Sequence, residues 1–220
     1  MDFPALWLTL RLALLTTAIL LALSIPLACW LAFGRSRLRT PVQAVCALPI
    51  VLPPTVLGFY LLVALGPQTA VGRAISHVLG HPLAFSFSGL VVGSVLYSLP
   101  FALEPLVAGL GSVDHSMLDA AATLGSGPVA RVTRVALPLA RSSVVTASVL
   151  AFAHTVGEFG VVLMIGGNLP GTTRTLSIAL YDQVQDFNYT QANRTALVLL
   201  AVCLAALLAL YSRRSRGGLV

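Results

Sequence analysis

The sequence contains no lysine: all 13 of its basic residues are arginines, a bias to which no mechanism attaches. Charge of either sign is scarce, at 9% of residues, where a soluble domain carries roughly 25%. A chain of 220 residues that is 57% hydrophobic, with mean hydropathy +0.93, holds more apolar surface than one soluble core can bury, and so belongs in lipid. Cysteine is limited to Cys29, Cys46 and Cys203, all in apolar segments and without disulfide or metal spacing. They read as small core residues, and no metal site is expected. There is no Walker A sequence and no Gly-rich phosphate loop, which excludes ATP hydrolysis by this chain. The net charge of +6 would suit nucleic acid, but the arginines sit in short loops and at the C-terminus without aromatic interleaving, which excludes that partner. With no clear internal repeat, low-complexity tract or second soluble domain, residues 1–220 read as one transmembrane domain.

What is present is a series of long uncharged runs. Five spans are expected, at about 10–33, 44–65, 86–109, 141–166 and 195–212, each long enough for a bilayer core of about 30 Å. The first is too long for a signal-peptide apolar region and is followed by three arginines rather than a cleavage site. A sixth span requires splitting the fourth region at Gly157-Glu158 or inserting the segment 172–181. Nine arginines (35, 37, 39, 131, 134, 141, 213, 214 and 216) fall on one side of this five-span arrangement and four (11, 73, 174 and 194) on the other. Positive charge marks the cytoplasmic side, so the N-terminus is expected outside and the C-terminus inside.

That orientation places the 111–140 loop in the cytoplasm. Ser116 to Asp119 reads as a near capping box that starts a helix at Asp119. Alanines continue it, Gly125 stops it, Pro128 suits the first turn of a second helix, and Pro138 marks the entry to the next apolar run. Two short helices around a glycine, held between spans, suggest a surface on which something docks.

Three other stretches can carry mechanism. Gly157-Glu158-Phe159-Gly160 puts a carboxylate inside an apolar region, at a cost on the order of 3 kcal/mol, so it faces protein or water. It reads either as a structural acid bonded to neighbouring helices or as a pathway or gate position. A proton relay would need His154, one turn earlier, as partner. Pro49, Pro53 and Pro54 remove backbone donors within the second span, near Thr55 and Gly58. That run reads as a broken helix lining a pathway or as a merely kinked one. Glu104, before Pro105, sits near the cytoplasmic end of the third span and receives no role. The external segment 166–194 carries turn residues around Asn168, Pro170, Gly171 and Arg174. It is either an ordinary loop or a docking surface for an external protein, with a short helix at 176–181.

The 111–140 loop resembles the EAA loop of ABC importer permeases: acidic-Ala-Ala, three residues, Gly, nine residues, Ile-x-Leu-Pro. Here these are Asp119-Ala120-Ala121, Gly125 and Val135-Ala136-Leu137-Pro138. Asp119 replaces the commoner Glu, and Val132 stands where the family often has Phe. Residues 48–66 and 150–185 further resemble the molybdate permeases within that family, with the sulfate permeases as close relatives; the resemblance covers about residues 8–212. It implies an all-α integral membrane protein of the ABC type I importer permease fold, with Asp119, Ala120, Ala121, Gly125 and Pro138 coupling to an ATPase. It also implies a second permease copy, a cytoplasmic ABC ATPase dimer that holds ATP and Mg, and an external substrate-binding protein, all in a bacterial or archaeal cell membrane. The pathway residues expected are Pro53, Pro54, Thr55, Gly58, Gly157, Glu158 and Gly160. Rival readings are a sulfate or tungstate permease of the same group, an ion-coupled secondary transporter using Glu158 and Glu104, and a membrane scaffold without transport.

Overall fold

The computed structural model describes residues 2–217, with side chains through residue 212. It is entirely helical among the described residues. The helices are α1 (Phe3–Phe33), α2 (Arg39–Val51), α3 (Pro54–Leu65), α4 (Ala70–Leu79), α5 (Phe87–Gly111), α6 (His115–Thr123) and α7 (Pro128–Arg131). A π-helical turn (Val132–Ala136) leads into α8 (Leu137–Leu139), followed by α9 (Arg141–Gly157), α10 (Gly160–Gly166), α11 (Leu176–Gln185) and α12 (Tyr189–Gly217). The side chains of Arg213, Arg214 and Arg216 lie outside the described ones.

Three helices are each long and apolar enough to cross a membrane, α1, α5 and the Tyr189–Ser212 part of α12; the number rises to five if each of two bent helix pairs counts as one span. The α2–α3 pair bends by 111° and the pair Pro128–Leu139 with Arg141–Gly157 by 76°. Local chemistry explains the ends. Asp2 caps α1 by accepting from Ala5 N at 3.0 Å, with Pro4 in the first turn, so this helix begins well before residue 10. Arg11 is tolerated inside it because its guanidinium lies 4.8 Å over the Phe87 ring. Leu52 and Pro53 are extended, as expected of a residue before proline and of a second proline before the helix start, and Pro54 then opens α3. The proline run is therefore a break with a sharp turn. The helix α4 was missed by the sequence reading, because its 10 residues are too short to compete with the flanking spans.

The core is divided along the length of α1. At one end Ala28 and Leu31 of α1, Leu103, Leu106 and Leu110 of α5, and Ala147 of α9 pack together with Val113, Leu118, Ala136 and Ala140 of the 111–140 segment. At the other, Leu8 and Leu12 meet Leu65, Leu83, Leu90, Val162, Ile165 and Ile178. The first cluster matters most: the short helices are not a tethered appendage but share a core with the spans.

Candidate functional site

The 111–140 segment is built around its turn. Asp114, not Ser116, caps α6: its carboxylate accepts from Ser116 N at 2.9 Å. The expected capping box is thereby corrected. An aspartate already two residues upstream satisfies the first orphan N–H, and Asp119 falls on the fifth residue of the helix rather than at its start. The Ser116 N–H holds the Asp114 carboxyl below the usual carboxylate range. The helix closes in a Schellman motif: Ser126 N donates to Ala121 O and Gly125 N to Ala122 O, each at 3.0 Å. Gly125 sits at φ +82°, in the left-handed region. Pro128 opens α7. Pro138 lies within α8, and the bend into α9 falls two residues later at Ala140, so the proline is not itself the entry point.

Two opposite faces of α6 result. His115, Leu118 and Asp119 turn toward Arg35, Phe33 and Arg131, around a cavity of about 320 Å³. Met117, Ala120, Ala121 and Leu124 turn away, and Leu124 and Val129 are 86% and 76% exposed. An exposed apolar patch of this kind, rigidly backed by the shared core, is what a protein partner covers.

The proline break and the Gly-Glu-Phe-Gly segment come together. Helices α3 and α10 pack closely. A Cβ on Gly58 would stand 2.7 Å from Met164 Cβ, and one on Gly160 would stand 2.8 Å from Pro54 Cβ. Gly157 has open space instead. Thr55 is exposed, and its hydroxyl makes no hydrogen bond among the described residues. Glu158 is 4% exposed, and its two carboxylate oxygens accept from Val161 N at 2.8 Å and Val162 N at 3.1 Å. The acid thus caps the first turn of α10, where backbone donors have no helical partner. Its carbonyl accepts from Ser177 Oγ, which ties the break to α11.

His154 does not meet Glu158. Its Nδ1 lies 2.9 Å from Ser98 Oγ, and its ring stacks on Phe101 at 3.8 Å, with Tyr97 at 5.0 Å. This removes the geometry a two-residue proton relay requires. Glu104 is half-buried and accepts from Gln43 Nε2 at 3.1 Å, so it joins α5 to α2, although sequence reasoning gave it no role. No sequence signal pairs it with Gln43, which lies 61 residues away.

On the opposite end of the molecule, Asn168 occupies a left-handed conformation at φ +59°. Its Nδ2 donates to both Asp182 oxygens, at 3.0 and 2.9 Å, while Arg174 Nε donates to its Oδ1 at 2.8 Å. Arg174 and Asp182 also form an ion pair at 3.5 Å. Asn168 and Arg174 are thus occupied in fastening the segment to α11, whereas Pro170 and Gly171 remain exposed. The helix expected near 176–181 runs to Gln185, and its first four residues are buried rather than lying on a surface. Thr9 Oγ1 accepts from Leu176 N at 2.8 Å and anchors it to α1.

The description "binding-protein-dependent transport system inner membrane component" fits residues 24–217. Over 219 residues the chain is 49% identical to the molybdenum transport system permease protein ModB of Azotobacter vinelandii, covering 99% of this chain and 97% of that one. It is 32% identical over 207 residues to ModB of Escherichia coli K12, covering 92% and 90% of the two chains. Among solved structures, an inward-facing MetNI methionine ABC transporter superimposes with TM-score 0.76 at 18% identity, over 99% of this chain and 95% of that one. A bacterial ABC transporter that imports alginate gives TM-score 0.79 at 20% identity, over 97% and 78%.

Proposed function

We propose, since this chain belongs to the family of binding-protein-dependent transport system inner membrane components, that it is the permease through which an ATP-driven importer takes up molybdate. The observation that carries the substrate is the 49% identity to a molybdenum permease along 99% of the chain. The fold neighbours support the importer class, and the solved alginate transporter includes a complex with a substrate-bound periplasmic protein.

In this reading two copies of the chain pair around a central route. A cytoplasmic ATPase dimer carries ATP and Mg²⁺, and an external binding protein delivers the anion. The N-terminus faces out, and the 111–140 segment and the C-terminus face in. The chain's task is conformational: closure of the ATPases moves α6, and the spans it is packed against swing as one body. Reversing a 1:99 preference to 99:1 takes about 5.5 kcal/mol of differential binding. A flexible tether would dissipate such a bias. Leu118 shares one buried cluster with Leu31 of α1 and Leu110 of α5, and His115 meets Phe33 edge-on at 6.2 Å, which supports transmission from α6 into the spans.

The test is reconstitution of the permease with its ATPase in vesicles, with binding protein outside and labelled molybdate as cargo. Uptake that requires internal ATP and falls with unlabelled molybdate more than with sulfate is the expected result. Uptake driven by an ion gradient without ATP would instead support the secondary-transporter reading.

A further inference from the structure

The most unusual surface of the protomer lies on α5. In its first half this helix is covered by α10, and Leu90, Gly93 and Ser94 are buried there. The cover ends at Tyr97. From that point Tyr97, Phe101, Glu104 and Ala108 follow at intervals of four, three and four residues, which is one face of a helix. All four are only partly covered or exposed, whereas Ala102, Leu103, Leu106 and Leu110 on the opposite face are fully buried. The half-buried ring of His154 lies on this open face, stacked on Phe101.

This face is polar where the open faces of α12 and of the middle of α1 are not. The exposed side of α12 carries Leu197, Leu200, Leu204 and Leu208, and that of α1 carries Leu14, Leu15 and Leu23. Tyr97 is ten residues into a 25-residue helix, about 15 Å from one end and about 21 Å from the other, and so near mid-membrane. Polar and ionisable side chains at that depth face protein or water, because hydrocarbon offers their hydrogen-bonding groups nothing.

The hydrogen-bond chain behind His154 sets what the face presents. Thr155 Oγ1 donates its one proton to Ala151 O at 2.8 Å. The 3.1 Å contact of Ser98 with Thr155 therefore uses the Ser98 proton. Ser98 has none left for His154, so Nδ1 carries the hydrogen and donates to Ser98. The neutral ring then offers a bare Nε2, and the Tyr97 hydroxyl makes no hydrogen bond among the described residues. Glu104 keeps its oxygens on Gln43.

We propose that the open face of Tyr97, Phe101 and His154 lines the route of the transported oxyanion, with Tyr97 Oη donating to the anion and His154 Nε2 accepting from its hydration water. The proposal rests on the reading of the chain as an oxyanion permease and adds the residues the cargo passes. One donor and one acceptor form a weak site, as a conducting route requires, since binding must be loose enough for release.

The experiment uses the complete transporter with its ATPase in vesicles, in a background where Cys29, Cys46 and Cys203 are replaced by alanine. A charged, membrane-impermeant thiol reagent is expected to modify Phe101→Cys severalfold faster than Leu204→Cys on the lipid-facing side of α12. Molybdate with binding protein and ATP is expected to slow that reaction. Tyr97→Phe, which removes one oxygen, is expected to lower molybdate uptake severalfold while stimulation of the ATPase by the loaded binding protein persists. Modification at Phe101→Cys no faster than at Leu204→Cys would overturn the proposal in favour of lipid or the second copy as the covering group. Wild-type uptake by Tyr97→Phe would overturn the role of the hydroxyl. A wild-type complex that imports no oxyanion would overturn the functional reading itself, whatever the labelling.

Discussion

Pro54 and Gly160 meet without room for another atom: a Cβ on Gly160 would lie 2.8 Å from Pro54 Cβ and 2.9 Å from its Cγ. The contact joins the break between α2 and α3 to the break between α9 and α10. Two interruptions more than 100 residues apart are thereby one structural unit. Small residues permit this approach, because packing between helices in lipid depends on close van der Waals contact.

Gly160→Ala is therefore expected to destabilise the protein by about 1–3 kcal/mol through overpacking. Gly157→Ala should be close to neutral, since nothing lies within 4 Å of its Cβ position. Thermal unfolding of the purified complex checks the pair. Equal midpoints for the two variants would mean that α3 and α10 are not in contact as described.

Glu158 supplies two acceptors to two backbone donors, and Glu158→Gln leaves one donor facing an amide NH2 group. A buried unsatisfied group costs about 1–3 kcal/mol, so the variant should insert and assemble with lower thermal stability. Its uptake per assembled complex should stay near the wild-type value. A stable complex with slow uptake would instead assign the carboxylate to the pathway lining.

The helical nature of the chain was legible because hydrophobic runs of membrane length have few alternatives in lipid, whereas the runs at 44–65 and 141–166 are each broken into two helices. The turn at Gly125 was legible too, since a left-handed C-cap selects glycine whatever surrounds it. The cap of α6 was misread because Ser116 and Asp114 are both good caps, and local pattern does not say which one the backbone uses. The sequence left the segment around Asn168 and Arg174 open between an ordinary loop and a docking surface, because their partner, Asp182, lies on α11. Glu104 with Gln43, and His154 with Ser98, were invisible for the same reason: each pair is made by packing between α-helices distant in sequence.

The proposed orientation rests on the nine-to-four division of arginines. Reporter fusions after Arg39 and at the C-terminus should report the cytoplasm, and a fusion near Gly171 should report the exterior. The opposite pattern would place α6 where no ATPase can reach it.

The central claim is that ATP drives the spans through the 111–140 segment, and Gly125→Asp tests it most directly. At φ +82° a side chain strains the turn by roughly 1 kcal/mol or more. Open space around the position means that nothing else in the protomer is disturbed. The added charge stands beside the exposed Leu124. The measurement is ATPase activity with and without loaded binding protein, taken beside molybdate uptake in the same vesicles. The account predicts normal membrane insertion, with uptake abolished and with either ATPase subunits lost or hydrolysis no longer responding to the binding protein. Normal stimulation together with normal uptake would contradict it.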